Sequence, residues 1–375
     1  MKLIINTTTL SGTGVTQVAV SFIYECIAFT ENEYHLFLSK TVAREINTED
    51  FPDNFHFYYF DHHPLYGRNG FSVRKKLRDL EQTICPDLIF SVFGPACWTP
   101  GSKHISGFAN SYYVYPESPF FSKISLKDFL RINLMKAAHR FFLKRNGKYF
   151  ICETEDMSQR LSEFLKVGPA NIYTVSNTYN RYFETYDASA RKRLLPEPSA
   201  NEYRFLSLAS FDIHKNLTIL NELIPILNRK KMGKDIKFIL TIDQAKYEKH
   251  FSTEAKARII NLGRIEVKDC PQIYAECDAL FLPTLIESFS ANYPEAMKME
   301  IPVLTSGYSF AKSICEDAAL YFDPLDAEDI ADKMMMILNI ENLSKELVEK
   351  GKKRLITFGD AKVRAKRYLD IFKSI

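Results

Sequence analysis

Short apolar runs rich in β-branched and aromatic residues alternate along the chain with segments whose apolar positions recur every three or four residues. The first kind reads as buried strands and the second as helices with one packed face. Strands are predicted at 3–6, 34–38, 55–60, 87–93, 105–109, 149–153 and 172–176, with helices at 16–29, 72–84 and 157–165 between them. The polar stretch 184–201 holds two prolines and several charges and is the best linker candidate. The alternation then restarts, with strands at 204–209, 236–241, 259–262, 279–283, 302–305 and 319–322. Helices are predicted in this second series at 216–227, 271–276, 294–300, 327–338, 343–355 and 360–373. Such βαβ alternation implies mostly parallel sheets covered by helices. The expected fold class is α/β, with two doubly wound domains and a helical tail. Ligands in such folds bind beyond the carboxyl ends of the strands, and the cleft between two such domains is the expected site.

Composition narrows this only a little. The 375 residues are 46% apolar and 25% charged, which excludes global disorder. Glycine is scarce, 14 residues where average usage would give about 26. The seven cysteines are odd in number and show no C-x-x-C spacing, so reduced thiols in a cytoplasm are expected rather than disulfides or zinc. The start, Met1-Lys2-Leu3-Ile4-Ile5-Asn6, lacks a signal peptide's apolar core, and no run of apolar residues is long enough to span a membrane. A net charge of +3 does not by itself argue for nucleic acid.

The strongest chemical signal lies at 281–297, Phe-Leu-Pro-Thr-Leu-Ile-Glu-Ser-Phe-Ser-Ala-Asn-Tyr-Pro-Glu-Ala-Met. A buried strand ends, a loop carries Glu287, and Asn292 with Pro294 resembles a helix start. Free N–H groups and the helix dipole favour anions there, phosphates above all. Two carboxylates, Glu287 and Glu295, flank that place, and a carboxylate suits two adjacent sugar hydroxyls.

Glu287 and Glu295 form a Glu-x7-Glu motif. With Ala296-Met297, Ile301-Pro302-Val303 and Ala318-Ala319-Leu320-Tyr321-Phe322-Asp323-Pro324, the run resembles the signature of family 4 retaining glycosyltransferases. His214-Lys215-Asn216, Leu262-Gly263, Cys277-Asp278 and Val175-Ser176-Asn177 extend the resemblance, which covers about 172–340 well and the amino-terminal half loosely. It implies a GT-B fold, two Rossmann-like domains facing across a cleft. The expected domains are 1–183 with 358–375 on the acceptor side, and 184–357 on the donor side. The resemblance implies that Glu295 holds the donor's ribose, that Glu287 orients the transferred sugar, and that Lys215 grips the diphosphate. It also implies that the loop Ser288, Phe289, Ser290, Ala291 and Asn292 approaches the sugar and diphosphate, with Gly263 and Gly14 further contacts. No metal and no cofactor beyond a nucleotide-sugar, UDP- or GDP-linked, is implied.

Several positions depart from the family pattern. Ser288 and Ser290 stand where glycines are usual, and Ser210 stands where a basic residue is usual, which leaves Arg264 as a candidate to compensate. After the strand at 105–109 the family often has a histidine; here Ala109 and Asn110 occupy the place, and His104 lies at the strand's other end.

Other segments bear on partners. Gly12-Thr13-Gly14 follows the first strand, but Gln17 replaces the third glycine of a dinucleotide fingerprint, so it reads as a tight turn near a ligand rather than an NAD site. Residues 119–148 carry eight basic residues against Asp128 alone, a net +7 that the average conceals. Lys123, Lys127 and Arg131, and again Lys136, Arg140 and Lys144, are spaced by four, with Leu126, Leu130, Leu134, Ala137 and Phe141 on another face. A basic amphipathic helix suits an anionic membrane surface. Trp98, just after a strand, is a candidate acceptor-side contact together with Asn110, while Cys97 beside it has no activating base nearby in the sequence. The expected function is transfer of a sugar from a nucleotide-sugar to a saccharide or lipid-linked acceptor with retention, in the cytoplasm, peripheral to the inner face of the membrane, for polysaccharide or glycolipid synthesis. The alternatives are a non-catalytic nucleotide-sugar binding protein on the same fold and a nucleotide-sugar epimerase.

Overall fold

The structure is a computed structural model, and it describes residues 1–188, 192–230 and 232–375. The chain forms two compact units. The first comprises Met1–Pro116, Ser125–Asn177 and Asp360–Ile375, the second Glu117–Ile124 and Thr178–Gly359.

The first unit holds a seven-stranded parallel sheet of order β3-β2-β1-β4-β5-β6-β7. Its strands are β1 (Lys2–Asn6), β2 (Glu33–Ser39), β3 (Phe55–Phe60), β4 (Leu88–Ser91), β5 (Lys103–Gly107), β6 (Tyr149–Cys152) and β7 (Ile172–Thr174). Both faces are covered, which is why these strands read as unbroken apolar runs. Leu3 and Ile5 point into one core with Phe22, Tyr368 and Phe372, and Ile4 points into the other with Phe37, Val73 and Leu77. The last helix, Ala361–Ser374, returns to this unit. It packs edge-on against Phe22 through Tyr368 and donates from the buried Arg364 to Ser21 and Asn177.

The second unit holds a six-stranded parallel sheet of order β10-β9-β8-β11-β12-β13. Its strands are β8 (Glu202–Ser207), β9 (Asp235–Leu240), β10 (Ile259–Asn261), β11 (Ala279–Leu282), β12 (Val303–Ser306) and β13 (Ala319–Phe322). Phe205, Phe238 and Phe281 cluster at its centre, with ring centroids 5.8–6.4 Å apart, Phe281 meeting the other two edge to face. In each sheet the chain runs outward one way and then the other, so the strand order reverses between β1 and β4 and between β8 and β11.

Several expectations change. The stretch 184–201 is no free linker where it is described: Leu194 and Leu195 donate their N–H groups to Glu276, and Tyr186 bonds Gln272. Its residues 189–191 lie outside the described residues. Gly14 is not in a tight turn; it is the second residue of the helix Thr13–Glu25, and a Cβ there would meet nothing. Lys123 does not continue the helix of Lys127 and Arg131. Ser125 caps that helix, Leu126–Asn146, its Oγ accepting from Asp128 N at 3.1 Å, and Lys123 ends a short helix in the second unit.

Trp98 is corrected as well. It is 2% exposed and sits in the core with Ile4 and Phe37. Its Nε1 donates to the buried Glu81 at 2.7 Å, and Glu81 also accepts from the N–H groups of Gly101 and Ser102. Three donors satisfy this buried carboxylate, so Trp98 belongs to a structural network and not to an acceptor surface. Its neighbour Cys97 is inert, burial pushing its thiol up to about 12.

Candidate active site

In doubly wound sheets a crevice opens beyond the carboxyl ends of the strands where the strand order reverses. In the second unit that place lies beyond β8 and β11. The residues singled out from the sequence meet there because three loops are tied together. After β8, the turn Ile213–Lys215 ends on Asn216 in the left-handed region (φ 52°), and the Asn216 amide donates to Pro324 O in the loop after β13. The N–H of Leu285, in the loop after β11, donates to His214 O at 2.7 Å. Hydroxyls buttress β11, with Ser207 Oγ donating to Phe281 O and Thr305 Oγ1 to Leu282 O.

This framework sets Lys215 and Glu287, 72 residues apart in sequence, in a direct ion pair. Their side chains are only 14% and 18% exposed, so the pair is poorly screened by solvent. The cation expected on a diphosphate and the carboxylate expected on a sugar are thus mutual partners. Beside them, His214 has its pKa lowered by burial and by the Lys215 charge.

Asn292 differs from expectation. It is the first residue of the helix Asn292–Lys298 rather than its cap, and Ala291 occupies the cap position. Its amide is committed elsewhere, donating to Leu208 O at 2.8 Å and tying the loop after β8 to the loop after β11. Phe289 packs its ring against Phe358, and Ser290 is buried. Ser288 and Ala291 are half-buried. Ser210 is exposed and donates to Asp212 Oδ2 at 2.5 Å, so an acid engages the position where a cation is usual. Gly263 (φ 71°) and exposed Arg264 follow the edge strand β10, two strands or about 10 Å from β8. No contact brings Arg264 to Lys215 among the described residues.

Glu295 is 8% exposed and accepts from the buried Tyr274 hydroxyl at 3.0 Å. Burial raises its pKa to about 7, the Tyr274 bond pulling the other way. A carboxyl raised in the folded state binds an extra proton there, so its stabilising share is full at low pH and is lost as pH rises toward 7. The ligand-free protein should therefore lose about 3 kcal/mol across that window from this group. Glu295→Gln, which keeps an acceptor for Tyr274, should remove this part of the pH dependence. Urea unfolding at about pH 5 and about pH 8 measures it, and an unchanged slope in the variant would show that Glu295 is not its source.

In the first unit, the reversal point beyond β1 and β4 holds a cavity of 160 Å³. Thr9, Gly94, Asn110, Tyr113, His63 and His139 are among its lining residues. Gly94 has φ 97°, and its missing Cβ lets Thr9 close to the loop. Asn110, the candidate acceptor-side residue of the sequence, lines this cavity. The two histidines were not anticipated. His63 follows β3, its Nδ1 accepts from Leu65 N at 3.0 Å, and burial, with the neighbouring His139 acting the same way, lowers it to about 4. His139 comes from the helix Leu126–Asn146 and touches Tyr113 Oη at 3.2 Å and Tyr66 Oη at 3.4 Å. Burial lowers it too, so both rings are neutral near pH 7. The pair His62-His63 before Pro64 was the one local hint. His104 is structural: it is buried between Ser91 Oγ and Asn146 O, each at 3.0 Å.

The basic helix divides its faces. Ile132, Met135, His139 and Phe142 are half-buried and Leu143 is buried. Lys136 and Arg140 lie over the Phe164 ring, and Arg140 also donates to Phe164 O, so these two cations are engaged within the unit. Lys127, Arg131 and Lys144 are exposed. Leu126, Leu130, Leu134 and Phe141 are exposed by 74, 60, 74 and 55%. No helix among the described residues is long and apolar enough to cross a membrane.

Residues 192–354 match the family model of glycosyl transferases group 1. No curated protein matches the chain by sequence. Solved structures match over nearly the whole length. A glycosyltransferase from Rickettsia africae has 16% identity and a TM-score of 0.73, covering 100% of this chain and 98% of that one. HepE of Anabaena, in complex with UDP and glucose, has 14% identity and a TM-score of 0.67, covering 100% and 99%. WaaG, a glycosyltransferase involved in lipopolysaccharide biosynthesis, has 14% identity and a TM-score of 0.70, covering 99% of each. At these identities the likeness is one of fold. Residues 192–354 are thus similar to the glycosyl transferases group 1 domain, and the chain has the fold of these structures, the GT-B architecture of two Rossmann-like domains with a helical tail.

Proposed function

We propose that the protein transfers a sugar, with retention of configuration, from a UDP- or GDP-sugar to a saccharide or lipid-linked acceptor. The observation that carries this reading is the Lys215–Glu287 pair at the β8/β11 reversal point, inside the matched glycosyltransferase domain. A nucleoside diphosphate reaching Lys215 offers it a more highly charged partner than Glu287. Lys215 then neutralises the charge that grows on the departing diphosphate, and Glu287 is released to accept hydrogen bonds from the sugar's hydroxyls. Glu295, deeper and held by Tyr274, is the acceptor for the ribose hydroxyls. The acceptor oxygen bonds to the anomeric carbon on the face from which the diphosphate leaves, and its proton passes to a diphosphate oxygen. No side-chain base or metal enters this scheme.

The cavity at His63, Asn110 and His139 is proposed as the acceptor pocket. The exposed leucine stripe suggests where such an acceptor is met. Leu130 and His139 are nine residues apart, two and a half helical turns, so the stripe and the pocket lie on opposite faces of one helix. Lys127, Arg131 and Lys144 border the stripe, a pattern suited to an anionic lipid surface and hence to a cytoplasmic, membrane-peripheral enzyme of glycolipid or polysaccharide synthesis. The test is incubation with UDP- and GDP-sugars and lipid-extract acceptors. Transfer with an unchanged anomeric configuration by NMR supports the reading, and inversion or hydride chemistry contradicts it.

A further inference from the structure

The amino-terminal end of the first sheet's β3 edge carries a cluster that sugar transfer does not use. The parallel register sets His35 of β2 opposite His56 of β3, and their rings stack with centroids 4.7 Å apart. Strand alternation puts Glu33 on the same face as His35, and Tyr58 on the same face as His56. One oxygen, Glu33 Oε1, lies 3.0 Å from His35 Nε2 and 3.3 Å from His56 Nε2. The three ligating groups all fall within 4.8 Å of one another.

We propose that Glu33, His35 and His56 bind a divalent first-row transition ion of the zinc class. Donors around a tetrahedral ion at about 2.0–2.1 Å are themselves ~3.3 Å apart. The two carboxylate–imidazole separations, 3.0 and 3.3 Å, already match this, and the imidazole pair has to close from a separation within 4.8 Å. Two imidazoles and a carboxylate suit zinc, cobalt, nickel or copper and not magnesium or calcium. The supporting groups are also in place. Tyr58 Oη lies 3.2 Å from His35 Nδ1, the position of the partner that orients a ligating imidazole. In the metal-free form His35 Nε2–H donates to Glu33 and Nδ1 accepts from Tyr58. With the ion on Nε2 the proton sits on Nδ1 and donates to Tyr58, a tautomer shift without net proton release. Lys2 Nζ lies 3.9 Å from the other Glu33 oxygen, Oε2, and so leaves Oε1 to the ion.

Access and consequence follow from position. The side chain of His35 is 7% exposed, while those of His56 and Glu33 are 42% and 41% exposed, so an ion enters from solvent and keeps an open position for water. The site lies at the amino ends of the strands, opposite to the end that carries the cavity. Its effect is to clamp the edge strand β3, which among the described residues pairs with β2 alone, to the rest of the sheet.

The experiment uses the full chain, stripped with EDTA and exchanged into chelator-free buffer. Zinc is titrated calorimetrically and cobalt by its visible absorption. Binding of about one equivalent per chain with a raised Tm is expected. His56→Ala and Glu33→Gln should each weaken it about tenfold or more. Both positions are half-exposed, so Tm in EDTA should stay near wild type, and His62→Ala should bind as wild type does. The proposal is overturned if wild type binds neither metal at sub-millimolar concentration, or if His56→Ala and Glu33→Gln bind with unchanged affinity.

Discussion

Lys215→Ala should lower sugar transfer by about 10²–10³-fold, the usual cost of removing one fixed group that stabilises transition-state charge. Glu287→Ala should lower it comparably but differ in binding. Lys215 is held by Glu287, in a site where both side chains are mostly buried. Removing the lysine deletes the cation, so affinity for UDP or GDP falls with the rate. Removing the glutamate deletes the lysine's competing partner, so nucleotide affinity holds or rises while transfer falls. That split separates a functional pair from a structural one, since a salt bridge that merely stabilised the loops would give matching losses in both variants. Calorimetric binding of the nucleotide, measured beside initial rates, reads it. Near wild-type transfer in both variants would remove these residues from the mechanism.

Leu130→Asp combined with Leu134→Asp should abolish binding to anionic vesicles. The two leucines are exposed by 60% and 74%, on the face of the helix Leu126–Asn146 turned away from the protein. Burying a leucine is worth about 1.5–3 kcal/mol, so losing both lowers partitioning about 100-fold or more. Neither side chain contributes to a core, so Tm should be unchanged. Co-sedimentation with vesicles containing phosphatidylglycerol measures the effect. Neutral vesicles should bind weakly, because Lys127, Arg131 and Lys144 need anionic headgroups. Equal sedimentation of variant and wild type would show that the stripe does not meet a membrane.

The strands were legible because they are buried on both faces. Leu3-Ile4-Ile5 or Leu280-Phe281-Leu282 reads as an unbroken apolar run only where helices cover both sides. All 13 strands among the described residues coincide with predicted ones, with ends shifted by up to two residues. Short helices such as Ser111–Val114 and Ser309–Cys315 were missed, being too brief to show a period. At the candidate site, the sequence marked Glu287, Glu295 and Lys215 separately. The contact between Lys215 and Glu287 depends on β8 and β11 being neighbours, which no local pattern shows. The misreading of Trp98 has the same origin, since its partner Glu81 lies on another element 17 residues upstream. His63 and His139 meet at one cavity from positions 76 residues apart, so neither stood out alone. For the basic helix, the apolar and charged positions were readable, but Lys136 and Arg140 could not be separated from the free cations until Phe164 was placed beneath them.

The most direct test of the central claim is a thermal-shift panel with UDP, GDP, ADP and NAD, run on wild type, Lys215→Ala and Glu295→Ala. A ligand that binds only the native state adds about 2.7 kcal/mol of stability at one hundred times its dissociation constant. UDP or GDP is expected to raise the wild-type Tm, both substitutions to reduce the shift, and NAD to leave it unchanged. A shift with NAD alone, or a nucleoside diphosphate shift that survives both substitutions intact, would contradict the central claim.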